Sequence, residues 1–212
     1  MPRRGEQRKV EWESFCRKGI QDAVVRLLAR EGSDALTMER VAAEAGVAKG
    51  TLYVYFKDKR ALLQSVKEAT IQPLREELAR ILEGTLPPAR KLEEMVRRHM
   101  AYFDEHRNLL KVLLWQRQIL ESHARWRSSD PHRAFVARVA AVIARGIAEG
   151  AFRPVDPQKA AAILLEASIA TVIQRLWEEK PSPVEDDVRT LLDTLLYGLC
   201  SARSPHSKRG SA

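Results

Sequence analysis

Several kinds of protein are ruled out by what this chain lacks. Only two cysteines occur in 212 residues, Cys16 and Cys200. They lie far apart and both fall on apolar helical stripes, so they read as small core residues of a reducing cytosol rather than as a disulfide or a metal site. No apolar run approaches the ~20 residues of a membrane span. The opening MPRRGEQRKVEWESF is basic but has no apolar h-region, so it does not read as a secretory signal. A cytoplasmic protein without a membrane partner is expected. Strand signals are missing too: there is no alternating run and no Asn-Gly hairpin. Neither a Ser/His/Asp grouping, a Gly-rich phosphate loop nor an HExxH motif is present, which argues against an enzyme. His99 and His106 can share a helix face, but no carboxylate or cysteine completes a metal set with them, and no cofactor or metal is expected. No fixed-period repeat appears.

What is present is apolar, helical and basic at one end. Hydrophobic residues make up 45% of the chain, enough for a sizeable core. The net charge of +8 is unevenly spread. Residues 1–63 hold 13 Lys/Arg and 9 Asp/Glu, residues 64–200 hold 20 and 19, and the last twelve hold 3 and none. A polyanion partner for the N-terminal end fits that distribution. The basic tail reads equally as a solvated excess of charge.

The segment from Thr37 to Leu63, TMERVAAEAGVAKGTLYVYFKDKRALL, carries the sharpest pattern. Met38, Val41, Ala42 and Ala45 recur at helical spacing. Thr37 suits an N-cap, and Gly46 stands where the helix must stop in a left-handed conformation. Val47 is expected in the core of the turn. A second short helix, about Ala48 to Tyr55, buries Leu52 and Phe56 and leaves Lys49, Thr51, Tyr53 and Tyr55 on other faces. Two helices joined by such a turn form a helix-turn-helix, whose second helix enters the major groove. Lys49 suits phosphate or guanine, and Thr51 a base edge or a thymine methyl. The Tyr53 and Tyr55 hydroxyls suit phosphate oxygens. Asp58 reads as the N-cap of a further helix, placing Lys59 in its first turn as a phosphate ligand.

These residues, together with Ile20 upstream, resemble the DNA-binding domain of the TetR family of transcriptional regulators. Thr37-Met38, Val41-Ala42, Ala45-Gly46-Val47, Lys49-Gly50-Thr51-Leu52-Tyr53, Tyr55-Phe56, Lys59 and Leu62-Leu63 carry the likeness over about 45 residues. It implies DNA contact by Thr37, Ala48, Lys49, Gly50, Thr51, Tyr53, Tyr55 and Lys59. The departure is Ala48, where the family usually has a serine that caps the recognition helix.

The rest of the chain divides into further helices. Residues 1–9 show no apolar periodicity and are expected as a flexible basic arm, either reaching DNA through Arg3, Arg4, Arg8 and Lys9 or without a role. A helix from about Val10 to Glu31 keeps Trp12, Phe15, Cys16, Ile20, Ala23, Val24, Leu27 and Leu28 at 3–4 spacing. The helix opened by Asp58 runs to about Leu82, with Pro73 inside it bending or breaking it. Stripes over 89–105 and 108–121 mark two more helices. A polar loop is expected at 122–130, then N-cap/N1 pairs at Asp130-Pro131 and Asp156-Pro157. Pro181-Ser182-Pro183 precedes a last helix whose first turn holds Glu185, Asp186 and Asp187. The fold expected is all-α, nine helices in two domains: a helix-turn-helix domain at 10–57, an effector-binding and dimerisation domain at 58–200 with 58–83 as linker helix, and a disordered tail at 201–212.

One recognition helix reads few base pairs, so a homodimer through the last two helices is expected, binding a palindromic double-stranded DNA operator. The resemblance implies that the intervening residues enclose a pocket for a small-molecule effector. Met95, His99, Tyr102, Phe103, Trp115, Gln118, Phe135 and Val139 are its candidate lining, each alternatively an ordinary core residue. The reading is a ligand-responsive regulator, a repressor by the family's common mode. An effector-independent protein of chromosome organisation is the alternative.

Overall fold

Residues Arg4–Glu31 form the first helix, α1, of the computed structural model, which describes residues 4–32, 36–115 and 130–197. The helix starts six residues before the expected one, so residues 4–9 are its first turns rather than a loose arm. Glu, Gln, Arg and Lys are good helix formers, and Glu6 complements the positive end of the helix. Apolar periodicity is blind to such turns because their sequence carries no apolar stripe. A second correction concerns the stripe itself. Trp12 and Phe15 are 64% and 70% exposed, and their rings stack on each other at 5.9 Å. Burial begins at Ile20 and continues through Ala23, Val24, Leu27 and Leu28, where α2 packs across α1. Gly32 ends the helix at φ +76°.

Helix α2 spans Met38–Ala45 and α3 spans Lys49–Tyr55. The Arg40 amide donates to Thr37 Oγ1 at 3.2 Å, the cap expected. Gly46 closes α2 at φ 67°. Leu52 and Phe56 are buried beneath α3. Ala48 occupies the N-cap of α3 with no side-chain hydrogen bond, as its methyl dictates. Asp58 Oδ1 then accepts the Ala61 amide at 2.7 Å and opens α4, Lys59–Glu83. Pro73 lies inside α4, which runs through it without a break.

Helices α5 (Pro88–Glu105), α6 (Arg107–Trp115), α7 (Asp130–Ala148), α8 (Pro157–Trp177) and α9 (Val184–Tyr197) complete nine helices, with no strand among the described residues. Asp130 is the first helical residue of α7, and its carboxylate pairs with Arg133. Asp156 caps α8 through the Gln158 and Lys159 amides, with Pro157 at its first position. Gly150 ends α7 at φ +73°. One turn earlier, a Cβ on Gly146 would stand 2.3 Å from the Phe152 ring. Only glycine lets the chain fold back so closely there.

The described helices divide into two compact units. One comprises α1–α3, α4 up to Arg75, and α6. The other comprises α4 from Glu76, α5, and α7–α9. Helix α6 therefore groups with the helix-turn-helix unit, not with the 58–200 block of the sequence reading, because it packs on α1 and buries Leu110 and Leu113. In the second unit α5 packs on α7, α8 and α9, with Leu92, Met95, Val96 and Met100 in the core. Helix α8 is long and apolar enough to cross a membrane by length and composition, a test that the core helix of a soluble protein also passes. Gln118, Cys200, residues 122–129, the tail 201–212 and the side chain of Trp115 lie outside the described residues.

Candidate nucleic-acid interface

The turn between α2 and α3 turns its apolar groups inward and its polar groups out. Met38, Val41, Ala42 and Leu52 are buried, while Ala45 and Val47 are half-buried. Ala48, Lys49, Gly50, Thr51 and Tyr53 are exposed, as are Thr37, Lys57, Lys59 and Arg60. All eight residues expected at the DNA surface thus belong to one compact unit, and seven of them are exposed.

Tyr55 is the exception. It is half-buried, and its hydroxyl engages the Cys16 side chain, which with burial raises the phenol above its ordinary value. The Arg17 guanidinium lies 4.9 Å from the Phe56 ring centre and 6.0 Å from that of Tyr55. Arg17 thus clamps the end of α3 onto α1 by a cation–π contact. Spacing within α3 gives no signal of it, because the partners come from a helix thirty-odd residues away.

Glu39 was not among the expected site residues. Its carboxylate pairs with Lys49 across the turn, both side chains being more than half exposed. Lys49, then the Glu39 backbone amide and the Thr37 hydroxyl, hold that carboxyl below its ordinary range. Lys49 is raised in turn by Glu39. The sequence signal was an acid in the first turn of α2, which helix electrostatics alone explains. Behind the turn, Arg26 Nε and Arg30 Nη2 each meet Glu44 at 2.9 Å, and Arg40 pairs with Glu31.

A short basic helix presented by a capped turn, with its apolar side sunk into a three-helix core, is built to enter a groove in a polyanion. The model of the tetR family of bacterial regulatory proteins matches residues 20–66, the region just described. A tetracyclin repressor-like C-terminal domain matches residues 85–173. The chain belongs to the TetR family. It is a helix-turn-helix transcriptional regulator, not an enzyme. Among TetR-family relatives, the HTH-type regulator YhgD of Bacillus subtilis is 24% identical over 171 residues, 81% of this chain and 88% of its own. Two solved structures share the fold. FadR of Thermus thermophilus, a TetR-family repressor in complex with lauroyl-CoA, superposes with a TM-score of 0.66 at 19% identity, covering 92% of this chain and 100% of its own. FadR of Bacillus subtilis, in complex with stearoyl-CoA, gives 0.69 at 21%, covering 86% and 99%.

The expected effector residues are placed less uniformly. Met95, Tyr102 and Val139 are buried, and Phe103 and Phe135 are half-buried. His99 Nδ1 and Ser168 Oγ are 2.7 Å apart, joining α5 to α8, and the Phe103 ring stands edge-on to the imidazole at 5.1 Å. Burial lowers the His99 pKa to about 4, so the ring is neutral near pH 7. Ser168 sits among the apolar positions of α8, and nothing in that spacing announced it as a polar partner. A groove of about 380 Å³ opens between α7 and α8, bordered by His132, Arg133, Val136, Gln158 and Glu166 among others. None of the expected effector residues whose side chains are described borders it.

Proposed function

We propose that this regulator is a homodimeric repressor that binds a palindromic operator and is released by an apolar effector of the fatty acyl-CoA class, acting in the cytoplasm. The observation that carries the DNA half is the exposed surface Lys49–Tyr53 over a fully buried Leu52. Thr51 and Lys49 read base edges there, while Tyr53 and Lys59 hold phosphates.

Support for the dimer comes from α8. Ile163, Ala167, Ala170, Gln174 and Trp177 recur at helical spacing, and of these Ile163 and Trp177 are 57% and 43% exposed. The exposed Ile163 and Ala170 on that face match a second copy of the same helix. Support for the effector class comes from the acyl-CoA ligands of the two FadR structures, together with an α5 lined by Met95, Tyr102 and Phe103. His99 and Ser168 supply one polar pair to orient a ligand among apolar walls. The effector shifts the balance only by its differential affinity for two states of the dimer, and α4, common to both units, carries that shift.

The test is selection of bound duplexes from a random pool, followed by titration of the selected DNA with acyl-CoAs of increasing chain length. A palindrome and loss of binding with one chain-length class are expected. A lone half-site would overturn the dimer, and indifference to every acyl-CoA would overturn the effector class. Thr51→Ala should weaken binding to the selected duplex about tenfold, the worth of one base contact, with an unchanged melting curve.

A further inference from the structure

We infer that Glu39 is a specificity-determining residue of the DNA surface, a carboxylate that occupies Lys49 so that stray phosphates cannot. The inference rests on the DNA-binding reading of α3. Lys49 is the cation at the first residue of α3, and its ammonium is paired with Glu39 rather than left free. Glu39 is itself anchored by the Thr37 hydroxyl and its own backbone amide. The carboxylate therefore stands, paired, beside the first residue of α3.

An acid at such a place works against duplex binding of any kind. It repels phosphates by charge, and it forces Lys49 to break an ion pair before meeting one. The opposition is unequal across sequences. A phosphate offers Lys49 one charge and no positional demand, so on random DNA little is gained by breaking the pair. A guanine edge at the right register offers two acceptors, O6 and N7, to a lysine at the first residue of α3. Glu39 thus subtracts more from non-specific than from specific binding, which is discrimination by an unfavourable element.

Glu39→Gln keeps the size and the hydrogen-bonding oxygen but removes the charge. The probes are a random-sequence 30-base-pair duplex and the duplex selected by the wild-type protein, titrated by fluorescence anisotropy at several salt concentrations. On the random duplex the variant should bind about two- to fivefold tighter at low salt, the scale of one exposed ion pair. The slope of log K against log salt should steepen by about one for each phosphate gained. Affinity for the selected duplex should change less, so the ratio of the two falls. In a Lys49→Ala background, Glu39→Gln should no longer alter that ratio. Equal gains on both duplexes, no gain on either, or a ratio change that survives Lys49→Ala would each overturn the inference. Wild-type protein that binds no duplex would sink the DNA reading and this inference with it, whereas wild-type binding with an inert Glu39→Gln sinks the inference alone.

Discussion

In the helix-turn-helix unit the ion pairs lie on the outside: Arg26 and Arg30 on Glu44, Arg40 on Glu31, Lys49 on Glu39. The C-terminal unit carries exposed pairs as well, such as Arg145 on Glu149, but it also takes two cations inside. Arg175, 3% exposed, grips Asp104 of α5 and Asp187 of α9 together. Lys91, also buried, donates to the Leu82 carbonyl at 2.6 Å, a cation on the last turn of α4. Exposed pairs contribute little to stability, so the sites where they stand are set by the helices that carry them. Buried pairs fix which helix lies against which, because no alternative partner is within reach.

Breaking that contrast should show first at Arg175. Arg175→Ala strands two half-buried carboxylates and should cost about 3–5 kcal/mol, whereas Arg30→Ala opens only exposed pairs and should leave the urea midpoint nearly unchanged. Urea unfolding of each variant measures both, and comparable losses would erase the distinction between the units.

The second test is pH. The folded His99 pKa of about 4 lies below the ordinary 6.5, so the unfolded chain binds the proton more readily. Its contribution is therefore fully present above pH 6.5 and is lost as pH falls towards 4. The loss amounts to about 3 kcal/mol at pH 4. Carboxylates titrate in the same range, so the informative quantity is wild type minus His99→Gln. That difference should grow smoothly below pH 6.5, and a flat difference would mean that the imidazole is not shielded.

A modest gain belongs to the N-terminal unit. Ala48→Ser restores a side-chain cap to α3 and should stabilise the unit by about 0.5–1 kcal/mol in thermal melts.

The N-terminal unit was largely legible because its signals are local. Thr37, Gly46 and Asp58 act on backbone groups within four residues, so their roles follow from chain order alone. Asp156 worked the same way. What stayed hidden is non-local. Cys16 and Arg17 meet Tyr55 from another helix, Ser168 meets His99 across 69 residues, and Asp104 meets Arg175 across 71. Periodicity also cannot tell how far a partner helix reaches, so Trp12 and Phe15 looked no different from Ile20. The effector residues were the least legible, since a wall of a cavity and a wall of a core call for the same side chains.

Pro73 lies three residues before the point where α4 passes from one unit to the other. Its ring supplies no amide hydrogen, so the rung that would tie residue 73 to the Ala69 carbonyl is missing. Fraying that begins at either end of α4 meets a gap there, and amide exchange along this helix should fall into two blocks with separate opening energies. A single rod linking the units would melt as one; this one has a perforation near its middle.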